Sequence, residues 1–273
     1  MMESKIAGAV GLAFHPVAVV FAEQKPEKAL QFKEEKWGCV MTLFANAAKG
    51  KTGAFDAKTF GCWGGGVGLG FGNVYQQFPG GTECFARFLS TGNKEWEKGR
   101  AIAQAMEGKA GSHFIEEFLE GERYVQSPEL VKQWLEEIPI THIDSPYVLF
   151  KPLIEVEPEV ETPQTVVFLA NADQLSALVI LANYGREGMD NVMIPWAAGC
   201  QTIGILPFRE GRSDKPRAVV GMTDISARQY VRTHLGADLL TFAAPWALFL
   251  EMEANVEGSF LERPTWQALR GNE

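Results

Sequence analysis

One stretch, Gly61-Cys62-Trp63-Gly64-Gly65-Gly66-Val67-Gly68-Leu69-Gly70-Phe71-Gly72, restricts this chain more than any other. Seven of its twelve residues are glycine. Glycine loses the most backbone freedom on folding, so such density must be offset by something that only glycine supplies. Either the backbone enters conformations closed to other residues, or something approaches it closely. A cysteine and a tryptophan stand at its entrance, and the stretch reads as the floor of a site.

The obvious nucleotide motifs fail here. A dinucleotide fingerprint needs glycines at i, i+2 and i+5 after a strand, and no triplet between Gly61 and Gly72 meets that spacing. Gly50-Lys51-Thr52 resembles the end of a phosphate loop, but alanine stands at position 45 where that motif needs glycine. What survives is a looser nest of backbone N–H groups around an anionic or flat small molecule, centred on Trp63, Gly64, Gly65 and Gly66.

Four cysteines are spread through the 273 residues, too few for a disulfide scaffold. Three of them directly follow glycine: Gly38-Cys39, Gly61-Cys62 and Gly199-Cys200. Each has tryptophan close by, at Trp37, Trp63 and Trp196. Cys39 and Cys200 also precede expected helices, whose first N–H groups lower a thiol pKa. Three thiolates from separate segments can hold zinc with an outside ligand, or an iron–sulfur cluster with one iron left open. Three small buried residues in tight turns would give the same pattern, and no C-x-x-C spacing argues for metal. Cys84, in Cys84-Phe85-Ala86-Arg87-Phe88, reads as a buried apolar thiol. The four histidines show no paired spacing.

Along the chain, Val17–Phe21 reads as a buried strand after Pro16, and Cys39 opens a helix over Val40–Lys49. Gly80 to Pro139 has helical periodicity, with Ser127-Pro128-Glu129 a clear helix start. Tyr147–Leu153 reads as a strand. The proline- and glutamate-rich segment Lys151–Pro163 is an edge strand or a connector between halves, 1–150 and 151–273. Pro163–Phe168 echoes Pro16–Phe21, a helix follows near Asp173–Tyr184, and Gly199-Cys200 answers Gly38-Cys39. The step of 23 residues from Cys39 to Cys62 leads from Cys200 to Thr223, within Gly221-Met222-Thr223-Asp224. The expected fold is therefore α+β, with two pseudo-repeats (strand, helix, Gly-Cys, helix, strand) around a mixed sheet. A pseudo-twofold would bring Asp224 and Arg228 to the cleft of Cys62.

The formal net charge of −9 argues against general nucleic-acid binding, which needs a basic face. No run reaches the length of a membrane span, and Ile6–Phe21 is broken by His15-Pro16, so a membrane or secreted location is not expected and a cytoplasmic one is.

The order of pieces Leu12-x-x-x-Pro16-Val17-Ala18-Val19, the Cys39 helix, the Cys62-glycine segment and Cys200 resembles the bacterial and archaeal family called domain of unknown function 169. The resemblance implies family cysteines at Cys39, Cys62 and Cys200 and an arginine at Arg228, and it implies no activity. The functional expectation is a site at Cys39, Cys62 and Cys200 for zinc or an iron–sulfur cluster. The alternative is a non-enzymatic small-molecule binder using Trp63, Gly64, Gly65, Gly66, Asp224 and Arg228. Convergence of the three glycine-preceded cysteines, with Cys84 apart, is what the first reading requires.

Overall fold

The β-branched run at Val17 becomes the centre of a sheet because every residue from Val17 to Val20 is buried on one face or the other. The structure, a computed structural model, describes residues 1–34 and 36–271. Its elements in order are α1 (Lys5–Val10), β1 (Val17–Ala22), α2 (Val40–Ala47), β2 (Gly53–Phe55) and α3 (Trp63–Gly68). A helical stretch follows: α4 (Gly81–Phe88), α5 (Glu97–Met106), α6 (Ser112–Glu120) and α7 (Pro128–Glu137). Then come β3 (Tyr147–Pro152), β4 (Thr165–Ala170), α8 (Ala172–Asn183), β5 (Val192–Met193), α9 (Gly199–Ile203) and α10 (Ile205–Glu210). The chain closes with β6 (Ala218–Gly221), α11 (Ile225–Leu235), β7 (Leu240–Pro245), α12 (Trp246–Ala254) and α13 (Pro264–Arg270).

The seven strands form one mixed sheet in the order β2-β3-β1-β4-β7-β6-β5. All pairs are antiparallel except β5 with β6. The α+β expectation holds. Outward from the central β1–β4 pair the order runs β1, β3, β2 on one side and β4, β7, β6 on the other. That palindrome is the strand arrangement a duplication would leave, but the helices do not repeat with it. Cys39 caps an eight-residue helix, whereas Cys200 lies inside a five-residue one. Position 150 falls within β3, which pairs continuously with β1 and β2, so the chain is not parted there. The segment after Pro152 is a connector.

Contacts group the chain into two units, Met1–Gly72 with Thr141–Glu273, and Asn73–Ile140. The second unit is helical around an aromatic cluster in which Phe78 meets Phe85, Phe88, Phe114 and Phe118. Buried Asn93 ties it together by donating to the carbonyls of Cys84 and Phe118 at 3.1 and 3.0 Å. Ser127 accepts from the Leu130 N–H at the start of α7, with Pro128 at the first helical position, as the sequence suggests.

In the first unit the alternation of β1 and β4 sends Ala18, Val20, Val166 and Phe168 into a core closed by α1, α8 and α12. The opposite face carries Phe150, which packs edge-on against Phe44 of α2, and Phe21, which does the same with Phe208 of α10. The glycine-rich α3 and the Asp224-capped α11 pack on α9 and α2 in that second layer. Among the described residues no helix is long and apolar enough to cross a membrane.

Both ends of the first unit are tied by one carboxylate. Glu253 of α12, nearly buried, accepts from Ser4 Oγ and from the Lys5 and Ile6 N–H groups, the latter two at 2.8 and 3.4 Å. It therefore satisfies the free amides of a six-residue helix too short to persist alone. Glu253→Ala is expected to lower stability by about 1–3 kcal/mol and to expose residues 1–12 to protease. Urea unfolding with limited proteolysis checks both.

Candidate functional site

The glycine stretch is a helix. Gly61, Gly70 and Gly72 do take positive φ (80°, 91° and 84°), but Gly64, Gly65, Gly66 and Gly68 lie in α3. Their role is close approach. A Cβ on Gly65 would stand 2.5 Å from both the Phe60 carbonyl and the Val40 side chain. A Cβ on Gly68 would stand 2.8 Å from the Cys200 carbonyl carbon and 2.9 Å from the Gln201 nitrogen. On the other side, Gly204 has no room for a Cβ beside the Gly68 carbonyl. The helix thus lies backbone to backbone on α9, with the Cys39 segment on its other flank. The surface that Gly65 and Gly68 free is occupied by the protein itself.

That packing sets the three glycine-preceded cysteines around one locus. Cys39 is the N-cap of α2, and its carbonyl accepts from the Thr42 N–H at 2.9 Å and Thr42 Oγ1 at 2.7 Å. Cys62 is the N-cap of α3, and its sulfur accepts from the Gly65 N–H at 3.2 Å, with the Val40 amide also directed to it. Cys200 lies in the first turn of α9 and donates its S–H to the Gly64 carbonyl at 2.9 Å. Asp224, the N-cap of α11, joins them. Its Oδ1 accepts from the Ala227 N–H at 2.6 Å, and its Oδ2 accepts from the Gly199 N–H beside Cys200. Cys200 feels the charge of Cys62, Asp224 and Cys39, and Cys39 feels that of Cys62 and Asp224. Cys84 belongs to the other unit, fully buried in α4.

The ionisation expected at helix starts is reversed. Burial pushes the Cys39 thiol up to about 12, and the nearby Cys62 adds to the shift, against the opposing amides of Met41 and Thr42. Burial likewise raises Cys62 and Cys200, and for Cys200 the neighbouring thiols and Asp224 add to it. Desolvation also raises the Asp224 carboxyl, despite its two N–H donors. A helix start contributes partial charges, whereas burial removes the whole hydration of an anion, so burial wins. In the metal-free protein these are neutral thiols.

The remaining candidates are placed differently. Arg228 turns its guanidinium to main-chain carbonyls: Met222 at 3.3 Å, Leu239 at 3.1 Å, and Ala237. Trp63 is part-buried at the start of α3. Trp37 is half exposed, with its ring 4.9 Å from that of Tyr230 on α11, and Trp196 is also exposed. His15 is exposed and His142 lies against Gly72, while His113 pairs with Glu117. Sequence reasoning missed the backbone partners, the Gly64 carbonyl and the Val40 and Gly65 amides. The Gly65 donor was readable as an N-cap to third-residue spacing from Cys62. Among the described residues no three His, Cys, Asp or Glu side chains stand in the geometry that holds a single metal ion.

The chain matches, over residues 5–255, the family domain of unknown function 169, described as uncharacterised ArCR. No curated protein and no solved structure matches it.

Two measurements probe this packing. Gly68→Ala should destabilise by about 1–3 kcal/mol despite the better helix propensity of alanine, whereas Gly8→Ala, which meets nothing within 4 Å, should stabilise by up to about 1 kcal/mol. Thermal unfolding of the two variants tests the contrast. The raised thiols bind protons in the folded state that the unfolded chain releases from about pH 8.5 upward, so metal-free protein should lose stability as pH rises from about 9 towards 12. Below pH 8 these thiols should leave stability unchanged, and native iodoacetamide labelling should be far slower than that of a free thiol.

Proposed function

This chain belongs to the domain of unknown function 169 family, and we propose that it binds an iron–sulfur cluster through Cys39, Cys62 and Cys200, for redox or ligand chemistry at an iron the three thiols leave open. The observation that carries the reading is the gathering of three thiols from distant segments onto one helix, with Cys200 on the Gly64 carbonyl, Cys62 on the Gly65 N–H and Cys39 next to Val40, which lies against Gly65. Cys62 and Cys200 make hydrogen bonds to Gly65 and Gly64, but neither bond requires a third cysteine at the same place.

A cluster suits the arrangement better than zinc. A single zinc requires its sulfurs about 2.3 Å from one point, and the three side chains do not converge in that way. A cluster spreads its attachment points over several irons, so its thiolate ligands stand further apart. The Gly65 and Val40 amides at Cys62 are the kind of N–H donors that adjust cluster potential. Thiols raised by burial do not oppose binding, because a coordinating metal deprotonates its thiol outright. Assembly would then release protons and strengthen with pH.

The small-molecule reading keeps one observation in its favour, the exposed aromatic side chains Trp37 and Trp196. Weighing against it, the Gly65 N–H is engaged by Cys62 and the Gly64 carbonyl by Cys200.

Anaerobic purification or reconstitution with ferrous iron and sulfide should give brown protein with iron and acid-labile sulfide in equal amounts. Cys39→Ser, Cys62→Ser and Cys200→Ser should each lose most of both, and Cys84→Ser should keep them. Colourless wild-type protein after reconstitution, with all its thiols alkylated in denaturant, would overturn the reading.

A further inference from the structure

The loop that carries Asp224 is held in a conformation its sequence does not favour. Met222 has φ 61°, in the left-handed region, which is unfavourable for a residue with a side chain. Arg123 is the other non-glycine residue with positive φ among those described. Strain of this kind persists only where the surroundings impose it. Here the imposing group is visible. Arg228, one turn into α11, donates to the Met222 carbonyl and also to those of Leu239 and Ala237. The guanidinium joins the strained loop to the segment that leads into β7.

The kink delivers the Asp224 carboxylate to the thiols. Each of its oxygens accepts one N–H, from Ala227 and from Gly199, which leaves a lone pair on each oxygen. Among the described residues Asp224 takes part in no ion pair. The neighbouring Thr223 Oγ1 is buried without a hydrogen-bond partner. A largely buried carboxylate with no cation, beside three cysteines, is an expensive arrangement unless a positive centre belongs there. A solvated N-cap would have served α11 alone equally well; this one is drawn inward to the Gly199 N–H beside Cys200.

We propose that Asp224 is the fourth ligand of the site, giving a carboxylate oxygen to the iron that the three cysteines leave open, and that Arg228 positions it by clamping Met222. This rests on the cluster reading above. An oxygen donor holds iron less firmly than thiolate does, so such an iron is retained and still open to exchange with an incoming ligand.

The test is anaerobic reconstitution of wild type and variants with ferrous iron and sulfide. Iron per chain is then measured, together with the electron paramagnetic resonance signal of the three-iron form after mild oxidation. Asp224→Asn keeps the N-cap, since asparagine caps as well as aspartate. It should assemble a cluster and yield at least five times more three-iron form than wild type. Asp224→Cys should do the opposite and retain the fourth iron more firmly than wild type, a gain that a merely structural residue would not give. Arg228→Ala should behave like Asp224→Asn, and adding Met222→Gly should restore it towards wild type, because glycine adopts the left-handed backbone without the clamp. If Asp224→Asn and Asp224→Cys both match wild type, the carboxylate is not a ligand and the three-cysteine reading stands alone. A double variant no better than Arg228→Ala overturns the positioning role, and wild type that takes up neither iron nor sulfide overturns both proposals.

Discussion

The contact on which this arrangement depends is the backbone-to-backbone seating of α3 on α9. Gly68 meets the main chain of Cys200 and Gln201, and Gly204 returns the approach against the Gly68 carbonyl. A single Cβ at either place would separate the two helices. With the seating in place, the Gly64 carbonyl reaches the Cys200 thiol, and Gly65 lies against Val40, next to Cys39. Each glycine in a helix forfeits up to about 1 kcal/mol against alanine, so α3 is a poor helix alone. It exists because its neighbours hold it, which makes the thiol locus a product of tertiary packing.

Asp224 supplies the second tie. One carboxylate serves the starts of two helices, α11 through Ala227 and α9 through Gly199. Cys62 caps the helix that follows β2, and Asp224 caps the helix that follows β6, so the two strands on opposite sides of the central pair deliver their capping residues to one place. Whatever the origin of that correspondence, its chemical result is asymmetric. One flank offers the sulfur of Cys62 and the other the carboxylate oxygens of Asp224, so the two corresponding caps differ in chemistry.

The electrostatic balance follows from burial rather than from helix starts. Desolvation is the largest cause of the shift at all four groups, and Asp224 further disfavours charge on each of the three thiols, as Cys62 does on Cys39 and Cys200. A positive centre would reverse that balance at once, since it stabilises every anion around it.

The sequence by itself determined the class of fold and most elements. The β-branched runs before Phe21 and Phe168, the Ser127-Pro128 start and the Gly80–Pro139 helical periodicity all depend on neighbours in the chain, which sequence displays. It also set Cys39, Cys62 and Cys200 apart from Cys84 by their preceding glycines, and an expected pseudo-twofold directed Asp224 and Arg228 to the cleft of Cys62. It misjudged what the glycines do. Their density reads as an open floor, and only the packed chain reveals that the space they free is taken by α9 and by Val40. The thiol ionisation, the turning of Arg228 to carbonyls and the left-handed Met222 were equally out of reach. The ionisation is set by the loss of water around groups brought from distant segments. The other two are set by a turn that folds Arg228 back onto carbonyls 6 to 11 residues away, and neither cause has a signature in local sequence.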